Sequence, residues 1–162
     1  MELQRTFALI KTHAVANQDS GDIISLIERN GFEIIEMYKM ELEAEQAKVF
    51  YQEHSEKSFF PELVDNITVG PVIVMMLERE NAVAAWRDLM GATDPEEATL
   101  GSLRAMFGEH IGANAVHGSD APETAEREMD LFFGGLTLLD EEGLEEDLDC
   151  DDCESCDESE DS

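Results

Sequence analysis

The apolar positions along residues 1–139 follow two periods, which separate predicted strands from predicted helices. Short apolar runs or alternation of apolar and polar residues predict strands over residues 5–10, 32–42, 72–77 and 114–117. Apolar residues at helical spacing predict helices over residues 22–30, 44–56, 61–67, 81–90 and 120–133, with a helical turn at 102–107. Residues 72–77 are apolar on both faces, so we expect this strand near the centre of the sheet.

The last helix has the clearest boundary signals in the sequence. Asp120 is expected to cap it, with Pro122 in the first turn and Glu123 at the capping-box position, and Gly134-Gly135 is expected to end it. Strands and helices alternate through the chain, with two helices between the second and third strands. This order favours an α+β sandwich in which helices cover a four-stranded antiparallel or mixed sheet.

Acidic residues are concentrated at the C-terminal end. The 162 residues include 39 Asp and Glu against 10 Lys and Arg, and 14 of the acids lie in residues 140–162, which contain no Lys or Arg. We therefore expect a domain over residues 1–139 with a net charge of −15, followed by a disordered polyacidic tail over residues 140–162.

The same charge distribution excludes some classes of partner. A net charge of −29 speaks against nucleic acid and against an anionic membrane surface as partners. No apolar run reaches the length of a membrane span, and the first five residues do not have the plan of a secretory signal. These features predict a soluble cytoplasmic protein.

The three cysteines, Cys150, Cys153 and Cys156, all lie in the predicted tail, so no disulfide framework supports the domain. Their Cys-x-x-Cys-x-x-Cys spacing is compatible with a metal site only if flanking carboxylates supply a fourth ligand. No histidine or glycine-rich turn accompanies them. An acidic tail without a specific metal site is therefore the favoured interpretation.

The segment Asn114-Ala115-Val116-His117-Gly118-Ser119-Asp120 carries the most specific chemical signal. A histidine beside a predicted helix is, by itself, most often structural. Other blocks accompany it in order, however: Thr6 to Lys11, Phe59 to Val64, Val69 to Val72, Arg87 to Pro95, Gly101 to Arg104, and Glu126 to Glu128 before Leu131-Phe132-Phe133. Over roughly residues 3–135 the chain resembles the nucleoside diphosphate kinase family.

The resemblance implies a ferredoxin-like sandwich with a four-stranded antiparallel sheet, and a specific reaction. His117 is expected to take the γ-phosphoryl group of a nucleoside triphosphate, with ATP as the main donor. The phosphohistidine then passes the group to a nucleoside diphosphate in a ping-pong mechanism. Mg²⁺ is expected to bind mainly through the nucleotide phosphates rather than in a protein site. A tetrameric or hexameric homo-oligomer is also implied.

The resemblance also assigns roles to residues around the nucleophile. Positive charge on the phosphates is expected from Lys11, Arg87 and Arg104. Thr93 is expected to donate to the phosphates, Asn114 to bind the ribose, and Phe59, Leu63 and Ile111 to hold the base, whose stacking predicts broad nucleotide acceptance. Supporting roles fall to Tyr51, Ser119 and Glu128, the last of which would fix the tautomer of His117.

Three of these residues have an ordinary structural alternative on spacing alone. Without the loop that follows it, Arg87 is better explained as a solvated helix residue that pairs with Glu80 or Asp88. Glu128 is equally compatible with an ordinary acid on a helix face. Phe59 is compatible with a core position, although its neighbour Phe60 is the better core candidate.

The residues after Lys11 depart from the family pattern. Thr12-His13 stands where the family has Pro-Asp. Loss of the proline frees the backbone at position 12 and adds an N–H group, which predicts a less rigidly held Lys11. This departure supports an alternative hypothesis, a catalytically impaired nucleotide-binding or interaction protein on the same fold.

Overall fold

The computed structural model describes residues 2–142, in which the predicted strands and helices occur in the expected order with one additional short helix after the first strand. The strands are β1 (Leu3–Ile10), β2 (Glu33–Glu41), β3 (Pro71–Glu80) and β4 (Val116–Gly118). The helices are α1 (Thr12–Ala16), α2 (Ser20–Arg29), α3 (Ala44–Phe50), α4 (Phe60–Thr68), α5 (Ala82–Met90), α6 (Leu103–Phe107) and α7 (Pro122–Glu142), with a 3₁₀ turn at Gln52–His54.

The four strands form one sheet in the order β2-β3-β1-β4, and every neighbouring pair is antiparallel. Phe7 of β1 lies opposite Met76 of β3, and Leu9 lies opposite His117 of the short edge strand β4. The antiparallel sheet is therefore confirmed, and so is the central position of the apolar strand at residues 72–77. The edge strand β2 is mostly exposed.

Alternate residues of the central strands feed two separate apolar layers. Ala8 and Ile10 face one layer, which α2 and α5 complete; Phe7 and Leu9 face the other, which α3, α4 and α7 complete. This is the period of two expected for a strand buried on both faces. Helices thus cover both faces of the sheet, and the end of β1 brings Lys11 next to β4.

The strand that carries His117 lies tightly against α5. The indole Nε1 of Trp86 donates a hydrogen bond to the backbone oxygen of His117 at 3.3 Å. Gly118 lies so close to the same indole that a Cβ at this position would collide with it. The backbone of β4 is therefore anchored to a fully buried residue of the core.

Several predicted boundaries were wrong. Helix α7 does not end at Gly134-Gly135 but continues to Glu142, because glycine weakens a helix by about 1 kcal/mol relative to alanine without terminating it. Its first residue is Pro122, so Ala121 and not Asp120 stands directly before it. Helix α1 was not predicted, and the helix predicted over 44–56 ends at Phe50, before the 3₁₀ turn.

The predicted tail of residues 140–162 lies outside the described residues, except that residues 140–142 continue α7. The three cysteines also lie outside them. Among the helices of residues 2–142, none combines the length and apolar character that a membrane crossing requires.

Candidate active site

A cavity of about 590 Å³ lies between the α3–α4 pair, the segment that follows α5, strand β4 and helix α7. Its walls combine charged groups with aromatic and aliphatic side chains. Eleven of the twelve residues that the resemblance named line this cavity: Lys11, Tyr51, Phe59, Leu63, Arg87, Thr93, Arg104, Ile111, Asn114, His117 and Glu128. The twelfth, Ser119, is fully buried, and its Oγ has no hydrogen-bond partner among the described residues.

The ring of His117 is held by a carboxylate from α7. Nε2 of His117 lies 3.0 Å from Oε2 of Glu128, a residue whose side chain is only 3% exposed. Because an ionised carboxylate only accepts hydrogen bonds, this contact puts the ring proton on Nε2 and leaves a lone pair on Nδ1. The side chain of His117 is itself 21% exposed, so the ring is accessible to a ligand. An ordinary surface role for Glu128 is thereby excluded.

Two aromatic rings pack against His117 from the end of α3. The centroids of Phe50 and Tyr51 lie 4.8 and 5.9 Å from that of the imidazole, with ring planes at 68° and 89° to it. Burial raises the pKa of the Tyr51 hydroxyl, and the negative charge of Glu128 raises it further. Tyr51 is therefore a neutral hydroxyl near neutral pH and can donate a hydrogen bond at the nucleophile.

Lys11 is buried at the end of β1, where its ammonium group contacts a side-chain amide. Its Nζ donates to Oδ1 of Asn114 at 2.6 Å. Burial, and secondly the positive charge of Arg104, lower the pKa of Lys11 from 10.5 to about 7. Contrary to the expectation from Thr12-His13, Lys11 is firmly held, because Thr12 donates to the oxygen of Gly70 at 3.3 Å and His13 contacts the residue before β4.

Arg104 lies beside Lys11 and is also largely buried. It donates to the backbone oxygens of Gly91 and Val116, both at 3.0 Å, while its Nε has no partner among the residues described. Burial, and then the charge of Arg87, lower the pKa of Arg104 from 12.5 to about 10. The charge of Arg104 thus acts on Lys11 and the charge of Arg87 acts on Arg104, so an anion bound among these cations would relieve the repulsion.

Arg87 completes the cationic group from the last turn of α5, where its side chain is exposed. Its Nη1 donates to the backbone oxygen of Asp120 at 3.1 Å, so the hydrogen bond goes to neither Glu80 nor Asp88. Thr93 is exposed on the segment that follows α5, and its backbone oxygen accepts a hydrogen bond from Nδ2 of Asn114 at 3.0 Å. The segment carrying Thr93 is thus tied to the residue that contacts Lys11.

The other end of the cavity is apolar and open. The side chains of Phe59 and Ile111 are 46% and 62% exposed, and Leu63 lies one helical turn after Phe59 on α4. Phe60 instead packs against the apolar layer below β1, as predicted. An exposed aromatic ring near an exposed aliphatic side chain is suited to stacking against a planar ring.

Sequence reasoning missed several other residues that line the cavity, among them His54 and Arg127. The ring of His54 lies 6.3 Å from that of Tyr51 and 6.1 Å from that of Phe59, between centroids. Arg127 of α7 lies 3.4 Å from a carboxylate oxygen of Glu53. The sequence signal for His54 was its position three residues after Tyr51, and the signal for Arg127 was its position immediately before Glu128.

The described residues offer no protein-only metal site. Within residues 2–142, no group of three or more His, Cys, Asp or Glu side chains is arranged to hold a metal ion. The cavity is instead marked by positive charge at one end, a histidine with a free Nδ1 lone pair, and an aromatic ring at the other end.

Comparisons with known proteins agree with this arrangement. A family model described as nucleoside diphosphate kinase matches residues 4–137. The nucleoside diphosphate kinase of Oleidesulfovibrio alaskensis is 50% identical over 135 residues, 83% of this chain and 97% of that protein. That of a Nitratiruptor species is 51% identical over 137 residues, 85% of this chain and 100% of that protein.

Solved structures give the same result. The Aquifex aeolicus nucleoside diphosphate kinase superposes with a TM-score of 0.81 and 38% identity, covering 83% of this chain and 98% of that one. The halophilic nucleoside diphosphate kinase of Halobacterium salinarum, in complex with CDP, has a TM-score of 0.79 and 39% identity, covering 82% of this chain and 88% of that one. The fold, the cavity and these similarities together lead to one conclusion: the chain belongs to the nucleoside diphosphate kinase family.

Proposed function

We propose that the cavity exchanges the terminal phosphoryl group between nucleoside triphosphates and nucleoside diphosphates through a phosphohistidine on His117. The observation that carries this proposal is the contact between His117 and Glu128 beside the cationic group of Lys11, Arg87 and Arg104. This arrangement places a nucleophile and a group of cations that can bind phosphates in one cavity.

The first half-reaction starts at Nδ1 of His117. Its lone pair attacks the γ-phosphorus, an N–P bond forms, and the bond from phosphorus to the β,γ-bridging oxygen breaks, so that the nucleoside diphosphate leaves with that oxygen. Glu128 keeps the proton on Nε2 and stabilises the positive charge that the ring acquires. In the second half-reaction a β-phosphate oxygen of another diphosphate attacks the phosphorus, an O–P bond forms, the N–P bond breaks and the neutral imidazole is restored.

The cations bind and neutralise the phosphates during the transfer. Arg87 and Arg104 present planar guanidinium groups that suit bidentate contact with phosphate oxygens. Burial, and secondly Arg104, lower the pKa of Lys11, and a phosphate bound beside it would raise that pKa again because an adjacent negative charge favours the ammonium form. Tyr51 can donate a hydrogen bond near the reacting nitrogen.

The apolar end of the cavity would hold the base. Phe59 would stack on one face, with Ile111 and Leu63 providing the remaining apolar contacts, and Asn114 would bind the ribose. Stacking does not read the hydrogen-bonding edge of a base, so this site favours broad acceptance of nucleotides. ATP is proposed as the main donor. The CDP of the Halobacterium salinarum complex is consistent with a nucleotide ligand for this fold.

Mg²⁺ is proposed to enter with the nucleotide. The phosphate oxygens themselves would bind the ion, because Mg²⁺ at kinase sites is usually held through substrate phosphates rather than in an all-protein cage. It would supply charge neutralisation on the phosphates.

Two further proposals concern the setting of the reaction. We propose a homo-oligomer, tetrameric or hexameric, because the edge strand β2 exposes apolar side chains, with Met37 45% and Tyr38 37% exposed. A cytoplasmic location is proposed from the acidic composition and from the nucleotide substrates.

Incubation with γ-³²P-labelled ATP and Mg²⁺ tests the reaction. The wild type should acquire a label that is stable in alkali and labile in acid, and should pass it to added nucleoside diphosphate. His117→Ala should acquire no label, whereas His110→Ala, which changes another histidine lining the cavity, should keep it. Absence of label on the wild type at saturating ATP would leave the alternative hypothesis, a nucleotide-binding protein without exchange activity.

A further inference from the structure

His13 lies on the short helix α1, two residues after Lys11, and contacts a residue far away in the sequence. Its Nε2 accepts a hydrogen bond from the backbone N–H of Ala115 at 2.8 Å. The N–H of Lys11 donates to the backbone oxygen of Ala115, also at 2.8 Å. Both polar backbone groups of Ala115 are therefore bonded to residues 11–13.

Ala115 needs this support because its backbone is in the left-handed region. Its φ is +71°, a value that residues with a Cβ seldom adopt. Such a conformation persists only where the surrounding structure holds it, and Ala115 is fully buried. The two hydrogen bonds with residues 11–13 hold the N–H and the C=O group of Ala115 in place.

The conformation at Ala115 determines the direction of its neighbours, which belong to the candidate active site. Before it, Asn114 bonds to Nζ of Lys11 and to the oxygen of Thr93. After it, the oxygen of Val116 accepts a hydrogen bond from Arg104, and His117 follows. A change in the backbone conformation of Ala115 would therefore displace the groups that bind the phosphates. It would have a smaller effect on the reactivity of His117.

We propose that His13 is a positioning residue for phosphoryl exchange: its neutral ring fixes the Ala115 backbone by accepting the N–H at Nε2, and protonation of the ring releases this contact. The proposal concerns the same site as the proposed function and rests on it. His13 is not expected to touch the nucleotide, since it does not line the cavity.

The consequence of protonation follows from the donor and acceptor capacity of imidazole. When Nε2 accepts, the ring proton is on Nδ1, which is buried without a partner among the described residues. A doubly protonated ring presents N–H groups at both nitrogens, so an N–H at Nε2 would face the N–H of Ala115. Two donors in contact repel each other, and the hydrogen bond is lost.

The surroundings of His13 determine where this change falls on the pH scale. Burial is the largest influence and lowers the pKa of His13 below 6.5, and the positive charges of Lys11 and His110 lower it further. The carboxylates of Glu109 and Asp19 act in the opposite direction. His13 is therefore neutral, and able to accept, at pH 7 and above, and loses this ability in acid.

Two amide variants separate the acceptor from the bulk of the side chain. His13→Gln places its Oε1 near the position of Nε2 and cannot titrate, whereas His13→Asn reaches only the position of Nδ1. Steady-state exchange at pH 7.5 and pH 5.5 should be measured on both full-length variants and the wild type. Hydrogen exchange of the Ala115 amide, read by mass spectrometry with residue-level fragmentation, should be measured on the same samples.

We expect His13→Asn to raise KM for the nucleoside diphosphate about 10-fold, equivalent to about 1.4 kcal/mol. We also expect it to speed exchange at Ala115 about 10-fold, with a much smaller change in kcat. At pH 7.5, His13→Gln should have KM and Ala115 exchange close to those of the wild type. From pH 7.5 to pH 5.5, kcat/KM of His13→Gln should fall less than that of the wild type. The nucleotide itself also titrates in this range, so the ratio of kcat/KM of the variant to kcat/KM of the wild type is compared at each pH.

Two outcomes would overturn the proposal: equal Ala115 exchange in all three proteins, or a His13→Gln variant that behaves like His13→Asn. The thermal transition of Trp86 fluorescence shows whether each variant is folded. A wild type without exchange activity at pH 7.5 would refute the proposed function instead, and the Ala115 exchange rates would still decide the role of His13.

Discussion

Replacement of Lys11 by methionine should change how the free energy of unfolding depends on pH. Lys11 is buried, and its pKa is about 7 in the folded protein against 10.5 for an exposed lysine. Because each tenfold change in a protonation equilibrium is worth about 1.36 kcal/mol, the charged ammonium destabilises the unliganded fold by about 5 kcal/mol below pH 7. The penalty shrinks as pH rises from about 7 and disappears above about 10.5.

The sign follows from proton binding. Between these two pH values the unfolded chain holds a proton that the folded chain has released, so the wild type gains stability as pH rises. Lys11→Met lacks this group in both states. From pH 7.5 to pH 9.5, wild-type stability should therefore rise by about 2.5 kcal/mol relative to the variant. The lost hydrogen bond to Asn114 does not titrate and does not enter this difference.

Urea unfolding at the two pH values, without nucleotide, provides the measurement. The single tryptophan, Trp86, is fully buried and reports the transition by its fluorescence. Lys48→Met serves as the control, because it removes the same charge from an exposed position. Parallel pH dependences for wild type and Lys11→Met would show that Lys11 stays charged in the fold, and the reasoning about its burial would be wrong.

Three other predictions follow from the site and the charge distribution. Glu128→Gln should slow formation of the phosphoenzyme by about 10- to 150-fold in rapid-quench measurements, with nucleotide affinity unchanged, because hydrogen bonds to charged groups are worth about 1.5–3 kcal/mol; an unchanged rate would contradict the role of Glu128. Phe59→Ala should weaken binding of purine and pyrimidine nucleotides alike by about 5- to 150-fold in calorimetry, from about 1–3 kcal/mol of stacking, and loss for one base only would contradict it. Removal of residues 141–162 should lower KM for Mg·ADP at low ionic strength, and the difference should vanish as salt screens the acidic residues; a difference that is independent of salt would exclude a charge effect.

The sequence predicted the sheet well because its strands are defined by local patterns. The run at residues 72–77 and the alternation after Phe32 each give a strand without any knowledge of the rest of the chain. Most residues of the candidate site were likewise found, since the motif around His117 and the blocks with Arg87 and Arg104 are contiguous.

What the sequence did not predict depends on contacts between distant residues. The role of His13 requires Ala115, which is 102 positions away and has a backbone conformation that alanine does not signal. The firm placement of Lys11 likewise depends on Asn114, whereas the local Thr12-His13 pattern suggested a loose lysine. The continuation of α7 past Gly134-Gly135 shows that two glycines are a weak stop signal when the flanking residues favour a helix.

The close approach of Gly118 to Trp86 constrains the order in which this part of the sequence can evolve. Any side chain at position 118 would meet the indole, so such a substitution alone would push against the strand that carries the nucleophile. Loss of the indole alone would leave a cavity beside that strand. A lineage that acquires a side chain at position 118 must therefore shrink position 86 first or at the same time, and the two positions should vary together among relatives.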